Sequence, residues 1–418
     1  MSAPAAPARR VSGLTLILGA TALSGIASYV VQTVVFGQLT ESAYAVFAAF
    51  WSFIYLIVGT LSGIQQEVTR GTRARVSDDA AARNRSTRLA VVSALLVVAA
   101  VVATAPLWVA AAFPTEGWAL VWPLAFGTGS YVLVAVLCGM LYGIHRWLPL
   151  ALLMTADAVL RLIAIVVVLF AGGGTVALAW AIAVPFPLAI VVLWPLIRRS
   201  VVGAAQLDAG YREVSWNVSR TMVAAVSTGI MVSGFPLVLG LTSAGESASL
   251  LGLYIFCITL ARAPLIVVVM SLQSYLVVTF RDATGHFWRT FLRLQAVILG
   301  AGVLLAAVAW LAGPPVFAFV YPERELPDGV FLAVLVLSSA LVGSLCVSGP
   351  AVLARSEHLV YAAGWAVAAA TTVVVLLLPL DFTTRTVLSL LLGPIAGVVV
   401  FAVRLVTVHR SDTATPAR

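Results

Sequence analysis

Asp157 and Arg161 stand four residues apart inside the apolar run LLMTADAVLRLIAIVVV at 152–168. Acid first and base one turn later is the order in which helical neighbours attract. A charge at the centre of a bilayer costs about 2.5–3.5 kcal/mol on insertion scales. A run that keeps two charges there either neutralises them as a structural pair or uses them to line a polar cavity, and both readings stand at this stage. Arg262 poses the same question with no acid within one turn of it. Pro264 follows, and a proline frees a carbonyl one turn earlier, near Leu260, and bends the helix. Freed backbone beside a deep arginine suits a wet cavity. Arginine grips phosphate through a planar fork, so Arg161 and Arg262 are candidate anion holders. Arg220 sits one turn inside its run, while Glu67 and Arg70 close another. Arg220 and Arg70 are also placed to snorkel to the headgroups. Gln32, Gln65, Gln66 and Gln273 add hydrogen-bonding groups. Gln66 and Gln273 are candidates to meet sugar hydroxyls, with interhelical bonding as the simpler role.

The elements that must carry these residues follow from composition. The chain has 418 residues, 62% hydrophobic and 10% charged. Soluble domains carry roughly 25% charged residues, so the polar surface of a globule is missing. Apolar runs of about 20 residues, enough to cross the hydrocarbon core, recur along the whole chain. Twelve are expected: 11–36, 43–69, 87–112, 118–143, 147–170, 175–197, 214–241, 248–278, 290–312, 329–350, 358–380 and 386–408. They are longer and more continuous than the alternating strands of a membrane barrel, so they read as helices. Measured from Trp147 at 1.5 Å per residue, Asp157 and Arg161 lie roughly 15 and 21 Å in, at mid-membrane.

Every basic residue other than histidine is arginine, and nearly all cluster at alternate connections, with only Arg324 and Arg385 on the opposite side. The positive-inside rule then puts both termini in the cytoplasm of a cell-membrane protein. The net charge of +8 is spread between spans, so nucleic acid is not an expected partner. Three scattered cysteines give neither a disulfide framework nor a metal spacing, and no metal or cofactor is expected. The polar connection 198–213 divides the helices six and six, predicting lobes at 1–197 and 214–418. Tyr44 and Tyr254 open the second helix of each half, as parallel repeats about a pseudo-two-fold axis along the membrane normal would arrange them. Three G-x-x-x-G matches, Gly59/Gly63, Gly139/Gly143 and Gly393/Gly397, are no more than so glycine-rich a chain gives by chance. PFP at 185–187, SGFP at 233–236 and GPIAG at 393–397 predict kinks.

Residues 20–70, ATALSGIASYVVQTVVFGQLTESAYAVFAAFWSFIYLIVGTLSGIQQEVTR, resemble the opening of polysaccharide and lipid-linked oligosaccharide exporters. Those exporters belong to the multidrug/oligosaccharidyl-lipid/polysaccharide flippase superfamily. Residues 130–168 resemble the fourth and fifth helices of that family. The chain departs from many relatives at Gly37, Thr40 and Ala45. The resemblance implies two helical lobes around a central cavity that opens alternately to each side. It also implies a lipid-linked anionic sugar as substrate, with glycosyltransferases or a polymerase of the same pathway as possible partners. A multidrug or organic-cation antiporter of the same superfamily and a non-transporting envelope-assembly scaffold are the alternatives. No phosphate-binding G-x-x-x-x-G-K-[ST] loop is present to power transport. A membrane enzyme is not expected, because the largest external loop, 313–328, is short and its acids read as solvating residues.

Overall fold

The computed structural model describes residues 13–74, 80–202, 205–207, 226–243, 245–282, 286–355 and 357–414. The helices are α1 (Gly13–Gln38), α2 (Glu41–Gly71), α3 (Ala80–Ala112), α4 (Trp118–Gly143) and α5 (Trp147–Phe170), then the broken span α6 (Thr175–Ala183) and α7 (Pro185–Val201). The second half has α8 (Val226–Thr242), α9 (Ala248–Asp282), α10 (Phe287–Val320), α11 (Gly329–Leu353), α12 (His358–Leu376) and α13 (Phe382–Ala414). Ten described helical segments are long and apolar enough to cross a membrane. Val226–Thr242 and Ala248–Arg262 are shorter apolar stretches within α8 and α9. An all-helical, two-lobed membrane architecture results, as the sequence predicts.

One small sheet interrupts the helical plan. Thr72–Ala74, directly after α2, pairs antiparallel with Ala205–Leu207, with Arg73 opposite Gln206. The expected inter-lobe connection is therefore tied back to the first lobe where α2 ends.

Local signals set the helix ends. Thr40 caps α2 by accepting from the Ala43 N–H, and Asp328 caps α11 by accepting from Phe331. The turn between α4 and α5 is tight enough to force His145 to φ 57°, a left-handed conformation usually left to glycine.

Two of the three expected kinks coincide with an irregularity in the helical pattern. Pro185 splits the sixth span into α6 and α7. SGFP produces a π turn, Ile230–Gly234, inside α8. At GPIAG the helix is not interrupted: α13 runs through Pro394. The expected loop at 313–328 is also shorter than predicted, because α10 continues through Pro314 and Pro315 to Val320. The continuation buries Phe317 against Phe36 and Phe256, and that burial offsets the backbone bonds the prolines remove.

Two of the glycine pairs dismissed on frequency have a packing role. A Cβ at Gly139 would come 2.8 Å from the Gln65 carbonyl and Val68 of α2, and one at Gly143 would come 2.8 Å from Thr72. A Cβ at Gly397 would meet Leu345 of α11 and Ala368 of α12, and one at Gly393 would overlap Thr372 of α12. Small residues let these backbones approach in lipid, where no hydrophobic driving force does it for them.

The lobes meet through α1 and α2 on one side and α8 and α9 on the other. At the end opposite the arginine-rich connections, the Phe36 and Phe256 rings stack at 3.7 Å. Tyr321 donates to the Thr33 carbonyl at 3.1 Å. Arg324 pairs with Glu41 at 2.7 Å and donates to the Phe36 and Leu39 carbonyls at the end of α1. Gly252 of α9 lies so near the Glu41 carbonyl that a Cβ there would overlap it. That end of the interface is closed.

Candidate functional site

Arg262 of α9 is 4% exposed, buried where the lobes meet. Its Nη1 donates to the Met231 carbonyl at 3.1 Å, and its guanidinium lies over the Phe235 ring at 5.0 Å. Nε and Nη2 have no partner among the described residues. The acceptor belongs to α8, in the π turn, and not to the arginine's own helix. A π turn shifts the hydrogen-bond register and leaves a carbonyl available, and Pro236 just beyond it has no N–H to give. Gly229 and Gly234 let this turn lie against Leu56 of α2.

A cavity of about 130 Å³ opens beside Arg262. Gln32, Ala48, Trp51 and Ser52 line it from the first lobe, with Val232, Ser233, Pro236, Ile258, Thr259 and Arg262 from the second. Gln32 accepts from Tyr44 at 2.8 Å, which leaves its amide NH2 group to donate. Aligning Tyr44 with Tyr254 brings Ser52 to the position of Arg262, so matched points on the two halves face one cavity. Two cationic N–H donors beside a cavity lined by polar groups can hold a carboxylate or a phosphate.

Asp157 and Arg161 form a different structure. Arg161 Nη2 reaches both carboxylate oxygens of Asp157, at 2.6 and 2.7 Å. Nη1 donates to the Tyr55 hydroxyl, Nε reaches the Ile182 carbonyl at 3.4 Å beside the break in the sixth span, and the guanidinium lies 4.7 Å over the Phe186 ring. All three nitrogens are occupied, each by a group of the first lobe. The pair does not line the Arg262 cavity. It stands behind it, since Tyr55 packs at 4.8 Å on Trp51, which does.

The other expected residues are scattered. Gln66 is exposed near the arginine-rich end of α2, away from the cavity. Glu67 and Arg70 pair with each other at 2.9 Å. Gln273 lies on α9, but its side chain is outside the described residues, and Arg220 is outside them altogether. Trp51, Ser52, Ser233 and Thr259 were not anticipated. Hydroxyls and indoles inside apolar helices are too common for sequence alone to single them out.

The fold is that of MATE transporters of the MOP superfamily. It matches the inward-facing conformation of a multidrug resistance MATE family transporter with a TM-score of 0.70 at 14% identity, over 95% of this chain and 96% of that one. It matches a MOP superfamily transporter from Pyrococcus furiosus with a TM-score of 0.63 at 16% identity, over 94% and 95% of the two chains. No protein-family model matches the sequence. The chain is 30% identical over 396 residues to the uncharacterized protein Mb3654 of Mycobacterium bovis, covering 94% of this chain and 91% of that protein. It is 29% identical over 406 residues to the uncharacterized protein Rv1510 of Mycobacterium tuberculosis, covering 97% and 94%. The chain belongs to the family of Mb3654.

Proposed function

We propose that this protein is an antiporter that carries small amphiphilic organic anions across the membrane by alternating access between its lobes. One observation carries the anionic part: Arg262 is buried at the lobe interface with two guanidinium nitrogens unpartnered beside a cavity. The only acid bound to a deep charge among the described residues, Asp157, is already neutralised by Arg161. A cationic drug would meet an uncompensated positive charge there. The fold likeness to a multidrug resistance transporter favours the drug-antiporter class over the lipid-linked oligosaccharide expected from the N-terminal resemblance. The Pyrococcus protein of similar fold has a binding pocket of reverse polarity that suggests a different function.

The reading is tested in proteoliposomes by counterflow of fluorescent organic anions and cations, comparing wild type with Arg262→Gln. Anion counterflow that falls at least about tenfold in the variant supports it, that being the effect of roughly 1.4 kcal/mol. Cation counterflow without anion counterflow in the wild type, or anion counterflow unchanged by the substitution, removes it. Movement of a lipid-linked sugar in the same vesicles restores the polysaccharide-precursor reading.

A further inference from the structure

A second cavity, of about 630 Å³, lies at the arginine-rich end where α9 meets the start of α10. Its lining is Leu276 and Thr279 from α9 with His286, Arg289, Thr290, Arg293 and Leu294 from α10. Among the described residues no acid lines it. Arg289 and Arg293 are one turn apart on one helix face, and both are exposed. The cavity also adjoins the N-terminus of a 34-residue helix whose first turn receives no side-chain cap. N–H groups left free in such a turn, with the helix dipole behind them, attract a phosphate. Arg355 adds charge beside the same turn, stacked on Phe287 at 4.2 Å, and its Nη1 has no partner among the described residues.

Below the two arginines the same face of α10 turns apolar. The stripe continues through Val297, Gly300 and Leu304. Val297 is 60% exposed and Leu304 67% exposed, and nothing lies within 4 Å of a Cβ placed on Gly300. A cationic head region thus runs straight into an open hydrocarbon track of helical spacing. A free phosphate has no use for the track, whereas a phospholipid fills both parts.

We propose that this face of α10 is a binding site for an anionic phospholipid. Its phosphate rests on Arg289, Arg293 and the first turn of the helix, and one acyl chain lies along Val297, Gly300 and Leu304. The site lies away from the Arg262 cavity and does not depend on what the protein transports.

The test uses the full chain, delipidated in detergent. Melting temperature and lipid retained in native mass spectrometry are followed with added dioleoylphosphatidylglycerol, dioleoylglycerol or inorganic phosphate. Phosphatidylglycerol is expected to raise the melting temperature of the wild type, while the other two leave it unchanged. In the double variant Arg289→Gln, Arg293→Gln the same response should need at least roughly tenfold more phosphatidylglycerol. Gly300→Trp, which blocks the track and keeps both arginines, should weaken it too, and replacing both arginines by lysine should preserve most of it. Equal phosphatidylglycerol responses in the wild type and both weakened variants would overturn the proposal. So would an inorganic phosphate response equal to that of the lipid, which identifies the ligand as the free ion.

Discussion

Arg324, on the connection between α10 and α11, forms an ion pair with Glu41 of the opposite lobe at 2.7 Å and also holds the last carbonyls of α1. Both side chains are largely shielded, at 18% and 20% exposure. One guanidinium therefore does two jobs: it caps a helix end that carries partial negative charge and it ties the lobes at one mouth of the interface.

If that tie holds the mouth shut, Arg324→Gln should open it. Charge-assisted bonds of this kind contribute about 2 kcal/mol, so the ratio of closed to open forms should fall by roughly thirtyfold. A cysteine placed at Ser52 and probed with a membrane-impermeant thiol reagent from that side reports the change. Labelling should rise in Arg324→Gln and in Glu41→Gln, with the double substitution adding little to either. Labelling as slow as in the unsubstituted background would show that aromatic stacking alone closes this end.

Arg262 is expected to be costly to stability and needed for function. Two of its guanidinium nitrogens are buried with no protein partner among the described residues, and a buried polar group left unsatisfied costs about 1–3 kcal/mol. Arg262→Met should raise the melting temperature while abolishing anion counterflow. A variant less stable than the wild type would mean that the Met231 and Phe235 contacts outweigh the burial of charge.

The Asp157–Arg161 pair should behave in the opposite way. Asp157→Asn leaves a buried guanidinium without its counter-charge, and breaking such pairs costs about 3–5 kcal/mol. Adding Arg161→Gln should recover most of that loss. Denaturation in mild detergent measures both steps, and full loss in the double variant would show that Tyr55 and Ile182 need the arginine itself.

His145 occupies a left-handed backbone position at φ 57°. Such strain costs about 1 kcal/mol or more in a residue with a Cβ. His145→Gly should raise the melting temperature by a small amount without changing transport. A lower melting temperature would mean that the ring contact of His145 with Trp147, at 5.4 Å, is worth more than the strain.

The sequence is most legible where the physics is local. Asp157 and Arg161 are one helical turn apart, and a helix alone brings them within bonding reach. Pro185 and SGFP mark the broken sixth span and the π turn because proline removes a backbone donor wherever it stands. GPIAG carries the same signal, yet α13 continues as a helix through Pro394 and packs tightly on α12 at Gly393 and Gly397. Pro314 and Pro315 likewise do not end α10, which buries Phe317 across the lobe interface.

Taken alone, the amino-acid sequence determined that the chain lives in a bilayer, about how many times it crosses, and which turns carry the arginines. Those are properties of single segments and their transfer from water to lipid. Which arginine is left unsatisfied was decided only by the tertiary structure. Arg161 and Arg262 are equally deep and equally apolar in context, yet three groups converge on the first, two of them from α2 and α6, and one carbonyl from α8 meets the second. Arg324 and Arg385, the two exceptions to the arginine pattern, are likewise explained only by partners distant in sequence. Arg324 holds the end of α1, and Arg385 holds the Thr242 carbonyl at the end of α8 together with Glu246. The neighbours that satisfy a buried charge are chosen by how helices pack, and no spacing along one helix records that choice.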